Sequence, residues 1–288
     1  MDSLTYEPLN SRHDKQNQQH HPSYRQHRQD RKACSRPTRK RGIPIRHGTR
    51  SAEIPFYWEN PRTWAPALAG VDKVYLTYYP DLAVPGSVDA IRGLIEVAKD
   101  AGVGRVVLLS GRGEEEAERA EDVVRASGLK WTIVRASFFS QNFSEGAWLE
   151  EVLSGTVSLP VGDVVEPFID TDDIADVAVA ALTDDRHIGQ TYEMTGPRLL
   201  SFGDAVGEIA KAIGRDVTFA SVPMNEFVAT LKEAGLPDDF IWLLQYLFTE
   251  VLGRHSRLGD GVQRALGREP KDFADYARGA AATGVWTR

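Results

Sequence analysis

Hydrophobic and polar positions change pattern near residue 43. From there on, short continuously apolar runs alternate with stretches whose apolar residues fall at helical spacing. Ile43–His47 predicts a short strand, Trp64–Leu68 a brief helix, and Val71–Tyr79 an apolar, β-branched and aromatic strand stopped by Pro80. Residues 87–101 carry Val88, Ile91, Leu94, Ile95 and Ala98 on one helical face, closed by Gly102. Arg105–Leu109 predicts a buried strand, residues 114–126 a helix stopped by Gly128, and Trp131–Val134 the next strand. Short apolar strands separated by helices of about 10–15 residues predict right-handed βαβ units and a parallel sheet.

Further on, Asp170 or Thr171 caps a helix carrying Ile174, Val177, Ala178 and Ala181, with Asp172 and Asp173 in its first turn. Residues 190–195 predict a strand, 203–213 a helix and 217–222 another strand. Beyond Met224 the pattern is mainly helical. The expected fold class is α/β: a Rossmann-like, doubly wound parallel sheet over residues 43–184, with a smaller, mostly helical C-terminal lobe over 185–288 that shapes a substrate or partner site.

Residues 1–42 break this pattern. A dinucleotide-binding sheet starts with an apolar strand and a glycine-rich turn, because the backbone must approach the pyrophosphate without a Cβ in the way. Residues 1–41 hold no glycine and only seven hydrophobic residues. The first strand and glycine loop are thus missing, and the segment has a disordered, basic composition. A coding frame displaced by one nucleotide over residues 20–41 accounts for this. Permitted codons then give Ile-Ile-Leu-Val-Thr followed by Gly-x-x-Gly-x-x-Gly, with Arg25, Arg28 and Arg31 each becoming glycine if encoded by CGG. The alternative is a genuine basic tail.

Charge follows the same division. The net charge of −7 conceals +8 in residues 1–50, where 12 Lys/Arg face 4 Asp/Glu, and −15 in the rest. Tyr24 is the lone aromatic in the basic stretch, which argues against nucleic acid as a partner. Cys34 stands alone, so no intramolecular disulfide or cysteine metal pattern exists. His187 and His255 lack metal-ligand spacing, and no metal is expected. No apolar run approaches the roughly 18 residues of a membrane helix, and the basic start lacks a secretory h-region. A cytoplasmic protein without membrane contact is expected.

In such a sheet, ligands lie beyond the carboxyl ends of the strands, and this singles out the candidate residues. Thr49, Arg50 and Ser51 follow the second strand, where Arg50 suits a ribose 2′-phosphate and favours NADP(H) over NAD(H). Thr77, Tyr78 and Tyr79 follow the next as a wall for the nucleotide, or as a packed aromatic corner. Ser110 and Gly111 follow the central strand, where Ser110 can donate to a substrate carbonyl or Gly111 simply open a helix. Ala136, Ser137 and Phe138 lie at the expected nicotinamide end, with Asn142 beside two aromatics. Ser110, Asn142 and Tyr78 are the candidate catalytic residues. No tyrosine has a lysine four residues later, so the usual proton-handling pair is missing. Glu114, Glu115 and Glu116 read as solvated residues of a helix's first turn. The proton would pass through a water or the hydroxyl of Ser110 or Tyr78.

Thr77–Pro80, Leu108–Gly111, Val134–Phe139 with Gln141-Asn142-Phe143, Pro167–Ala178 and Gly267–Tyr276 together resemble the NmrA-like proteins over about residues 43–288. They are also similar to the ergot-alkaloid reductase branch. The resemblance implies an atypical short-chain dehydrogenase fold, a frequent preference for NADP(H), and frequent loss of the Tyr/Lys pair. It implies an NAD(P)H-dependent oxidoreductase acting on a small organic molecule, such as an imine or enone, by hydride transfer. The alternative within the family is a non-catalytic NAD(P) sensor that binds a protein partner.

Overall fold

The computed structural model describes residues 2–6, 44–146 and 148–287. Its strands, in chain order, are β1 (Asp2–Tyr6), β2 (Ile45–Gly48), β3 (Val71–Leu76), β4 (Arg105–Gly111), β5 (Lys130–Ala136), β6 (Thr156–Leu159), β7 (Val165–Glu166), β8 (Gln190–Met194), β9 (Leu200–Ser201) and β10 (Thr218–Ser221). Six of them form an all-parallel sheet in the order β2-β1-β3-β4-β5-β8. The strand order reverses between β1 and β3, which opens a crevice at their carboxyl ends.

The first strand is where expectation and structure part. Asp2–Tyr6, within the segment expected to lack any strand, pairs with β2 from Ser3↔Ile45 to Tyr6↔Gly48 and with β3 from Asp2↔Val71 to Leu4↔Val74. A slot between two parallel strands offers backbone partners on both edges, and an extended segment without proline can fill it whatever its side chains. Five residues are too few for periodicity to reveal this. The rest of the expected basic segment, including the displaced-frame residues 20–41, lies outside the described residues.

Alternation along β4 places helices on both faces. Val106 and Leu108 pack with Ile91, Leu94 and Ile95 of the helix Ser87–Asp100 and with Ala117, Ala120 and Val124 of the helix Glu115–Arg125. Val107 and Leu109 pack on the opposite face with Ile174, Val177 and Ala178 of the helix Thr171–Thr183. β4 is buried from Arg105 through Ser110, as a central strand covered on both faces must be.

A third core belongs to the C-terminal lobe, where Phe143, Trp148, Phe168, Phe202, Phe248 and Phe273 interlock. β6 pairs with β10 and β7 with β9, so residues 217–222 do not extend the main sheet. The lobes interleave and do not part at residue 184. β8 returns to close the main sheet, while Phe143, Trp148 and Val157 already belong to the lobe core. No helix among the described residues is long and apolar enough to cross a membrane.

Two distant segments hold the main sheet and lobe together. Asp170 caps the helix Thr171–Thr183 by accepting from Asp172 N at 2.7 Å. Gln141 donates to Asp170 at 2.9 Å and accepts from Thr171 N at 3.0 Å. From the far end of the chain, Arg268 meets Asp173 at 2.6 Å and Asp176 at 2.8 Å, and Lys271 meets Asp170 at 2.9 Å. The acidic first turn thus binds the basic segment 267–271.

Candidate active site

The carboxyl ends of β3, β4 and β5 open into one cleft, about 880 Å³ counting its mouth. Tyr78, Ser110, Gly111, Ala136, Ser137, Phe138 and Asn142 all line it. They come together because adjacent parallel strands end side by side: Ser110 is in register with Arg135, and Gly111 with Ala136. Phe139 and Leu109 add apolar wall, and Leu247, Val251 and Leu252 close the cleft from the lobe.

The remaining candidates lie elsewhere. Thr49 and Ser51 meet each other at 3.3 Å in the turn after β2. Arg50 pairs with Glu59 at 2.6 Å and lies over the Tyr57 ring at 5.2 Å, so its guanidinium already has a carboxylate partner. Thr77 is buried with an unpaired hydroxyl. Tyr79 is half-buried against the core beneath the helices and does not line the cleft.

Hydrogen bonding sorts the polar side chains of the cleft. The Ser110 hydroxyl donates to Glu121 Oε1 at 2.7 Å, so its proton points away from any substrate. Glu121 is wholly buried and held by Arg135 Nε at 2.8 Å and Arg125 at 2.6 Å. Ser137 donates to the Pro167 carbonyl at 2.6 Å. Tyr78 packs against Trp58 at 4.8 Å; burial, and then the charge of Glu59, push its hydroxyl above the usual tyrosine range. It is a poor proton donor. Asn142 is buried and its Oδ1 has no partner, which makes it an acceptor free for a ligand.

Sequence reasoning missed the charged half of the cleft. Asp81, Arg112, Glu114, Glu166 and His255 also line it. None of the three Arg112 guanidinium nitrogens has a hydrogen bond; Glu193 is 3.8 Å away, and burial lowers its affinity for the proton. Glu166 accepts from Gly253 N at 3.0 Å, and burial raises it. Glu115 and Glu116 pair with Arg119 on the surface as expected, but Glu114 does not behave like them. It is buried in the cleft, because Gly113 turns the chain at φ 79° and Gly111 leaves room for its carboxyl. The glycines on either side of Arg112 were the available signal.

The profile of the NAD(P)H-binding family matches residues 54–185. Over 234 residues the chain is 31% identical to prestalk A differentiation protein A of Dictyostelium discoideum, covering 80% of this chain and 77% of that protein. It is likewise 31% identical to an NAD(P)H azoreductase of Xenophilus azovorans, covering 77% and 80%. The chain belongs to the NmrA-like family of atypical short-chain dehydrogenase/reductases. The ergot-alkaloid branch is represented by agroclavine dehydrogenase of Claviceps fusiformis, 32% identical over 72% of this chain and 73% of that enzyme. Among solved structures, the triphenylmethane reductase of Citrobacter sp. complexed with NADP(H) superposes with a TM-score of 0.68 at 16% identity, covering 97% and 99%. NmrA, a negative transcriptional regulator in complex with NADP, gives 0.68 at 15%, covering 89% and 93%.

Membership accounts for the cleft. This NmrA-like chain is an NAD(P)H-binding oxidoreductase of the kind that transfers hydride to small molecules, and its site lies where a doubly wound sheet exposes its strand ends. The segments that carried the resemblance have distinct tasks. Residues 134–143 build the cleft, whereas 167–178 and 267–276 clamp the lobe to the sheet.

Proposed function

We propose that this chain reduces an apolar, conjugated small molecule, such as an imine, enone or quinone, with NADPH preferred over NADH. The observation that carries the reading is the convergence of Tyr78, Ser110, Ser137 and Asn142 on one cleft that also has an apolar wall of Leu109, Phe138, Phe139, Leu247, Val251 and Leu252. When bound, the reduced dinucleotide supplies the hydride. Asn142 Oδ1, buried and unpaired, fits a carboxamide N–H of the nicotinamide. Ala136, Ser137 and Phe138 flank that end, and Thr77 and Tyr78 the ribose. Thr49, Arg50 and Ser51 serve the adenosine end, where a 2′-phosphate competes with Glu59 for Arg50. Ser110, fixed by Glu121, presents an acceptor lone pair and not a proton. Leu247, Val251 and Leu252 exclude water above the reacting atoms.

NADPH oxidation with a panel of quinones, enones and imines tests this, alongside a fluorescence titration of NADPH and NADH. Turnover with tighter NADPH binding is expected. Tight binding with no turnover across the panel would replace this reading with that of a dinucleotide sensor.

A further inference from the structure

We propose that Glu114, beside Asp81 in the wall of the cleft, is the acid that delivers the proton to the substrate. This rests on the oxidoreductase reading above. It supplies the group that the missing Tyr/Lys pair leaves open.

The geometry begins with the backbone. β4 ends at Gly111, the chain turns at Gly113, and Glu114 stands just before the helix Glu115–Arg125 with an extended backbone, φ −98° and ψ 117°. A carboxylate there would ordinarily cap the helix and gain from its dipole. Glu114 makes no side-chain capping bond. Its carboxyl instead folds back over Gly111, into space that any Cβ at that position would fill. It is only 6% exposed.

Its surroundings call for a proton. Asp81 shares the cleft wall with Glu114, and a second carboxyl so placed disfavours ionisation of the first. Asp81 Oδ1 is already occupied as an acceptor for Ala83 N at 2.9 Å, and no protein donor reaches Glu114 Oε2. Burial first, and then the Asp81 charge, hold Glu114 well above the usual carboxylate range. The other ionisable groups around it are Glu121 on the following helix, Tyr246 from the lobe, and Arg112, Glu166, His255 and Tyr78 in the cleft walls. Arg112 is the fixed cation among them, and it makes no hydrogen bond to Glu114. The competing serine hydroxyls are spent, Ser110 donating to Glu121 and Ser137 to Pro167, and burial makes Tyr78 hold its proton more tightly.

The step balances simply. The substrate carbon receives the hydride and its electron pair from the reduced nicotinamide, which is thereby oxidised. The neighbouring nitrogen, oxygen or conjugated carbon takes the Glu114 proton: the carboxyl O–H bond breaks and the new bond to hydrogen forms. Glu114 is left ionised beside Asp81, and their repulsion favours recovery of a proton from solvent. Asp81 is the positioning residue.

The test uses Glu114→Gln, which keeps the shape and polarity of the side chain but carries no transferable proton. We expect kcat to fall by about 10²–10⁴-fold, the size of a general-acid contribution, with the NADPH Kd changed by less than about twofold. Without cofactor, infrared spectra of the wild type at neutral pH should contain a protonated-carboxyl C=O band that the variant lacks. Asp81→Asn should move the alkaline limb of the kcat profile to lower pH, since removing a like charge lowers the Glu114 pKa. A variant retaining kcat within about threefold, or a wild type without the infrared band, overturns the proposal. A wild type that reduces no acceptor removes the oxidoreductase reading and the catalytic role with it, while the band still decides whether Glu114 holds the proton.

Discussion

The carboxyl of Glu114 occupies the space in which a side chain on Gly111 would begin. The two residues are three apart, joined through Gly113 in the left-handed region at φ 79°. Gly111→Ala should therefore expel the carboxyl from the cleft. We expect a destabilisation of about 1–3 kcal/mol from overpacking, read by denaturant titration, with kcat falling toward that of Glu114→Gln.

Asn142 presents a buried Oδ1 that no protein group satisfies. Replacing it with leucine, of similar shape, removes an acceptor that the empty fold leaves unpaired. Stability should rise or hold within about 1 kcal/mol, while the NADPH Kd weakens about tenfold, the worth of one such bond. Thermal melts and fluorescence titration check the two halves separately.

Glu121 lies wholly buried beneath Ser110, with Arg135 and Arg125 upon it. Glu121→Ala would leave the Arg135 guanidinium, whose own charge is favoured chiefly by its bond to Glu121, without its main partner. A loss of about 3–5 kcal/mol is expected, measured by urea unfolding. The Ser110 hydroxyl would also lose its acceptor and turn into the cleft.

Burial pushes the Glu151 carboxyl up from 4.5 to about 7, against the opposing effect of its bond from Ser158 N. The unfolded chain ionises first as pH rises, so between about pH 4.5 and 7 the folded state binds the extra proton and stability declines. Above 7 the loss is complete, up to about 3 kcal/mol. Glu151→Gln should therefore gain on the wild type in thermal melts at pH 8 and lose that advantage at pH 5.

A displaced frame over residues 20–41 requires particular codons. Sequencing the gene should find CGG or AGG at Arg25, Arg28 and Arg31, and other codons there would leave the basic tail as the reading. The frame-corrected chain should bind NADPH more tightly than the chain as written, because a Gly-x-x-Gly-x-x-Gly turn would supply backbone N–H groups to the pyrophosphate. Parallel titrations measure the difference.

From its own pattern the chain declares the parallel sheet, since β3, β4 and β5 each carry a short apolar, β-branched core with amphipathic helices between them. It also declares the strand ends where Tyr78, Ser110 and Asn142 gather, because that follows from topology alone. It could not show that Asp2–Tyr6 fills the first-strand slot, which depends on backbone edges offered by β2 and β3 rather than on any side-chain period. Nor could it tell Glu114 from Glu115 and Glu116. Three consecutive glutamates look alike in one dimension. A turn at Gly113, a missing Cβ at Gly111 and the nearness of Asp81 bury the first of them and leave the others to Arg119 at the surface. Tertiary structure thus decided which carboxyl holds a proton, because burial and a like charge from another strand end are properties of the folded chain.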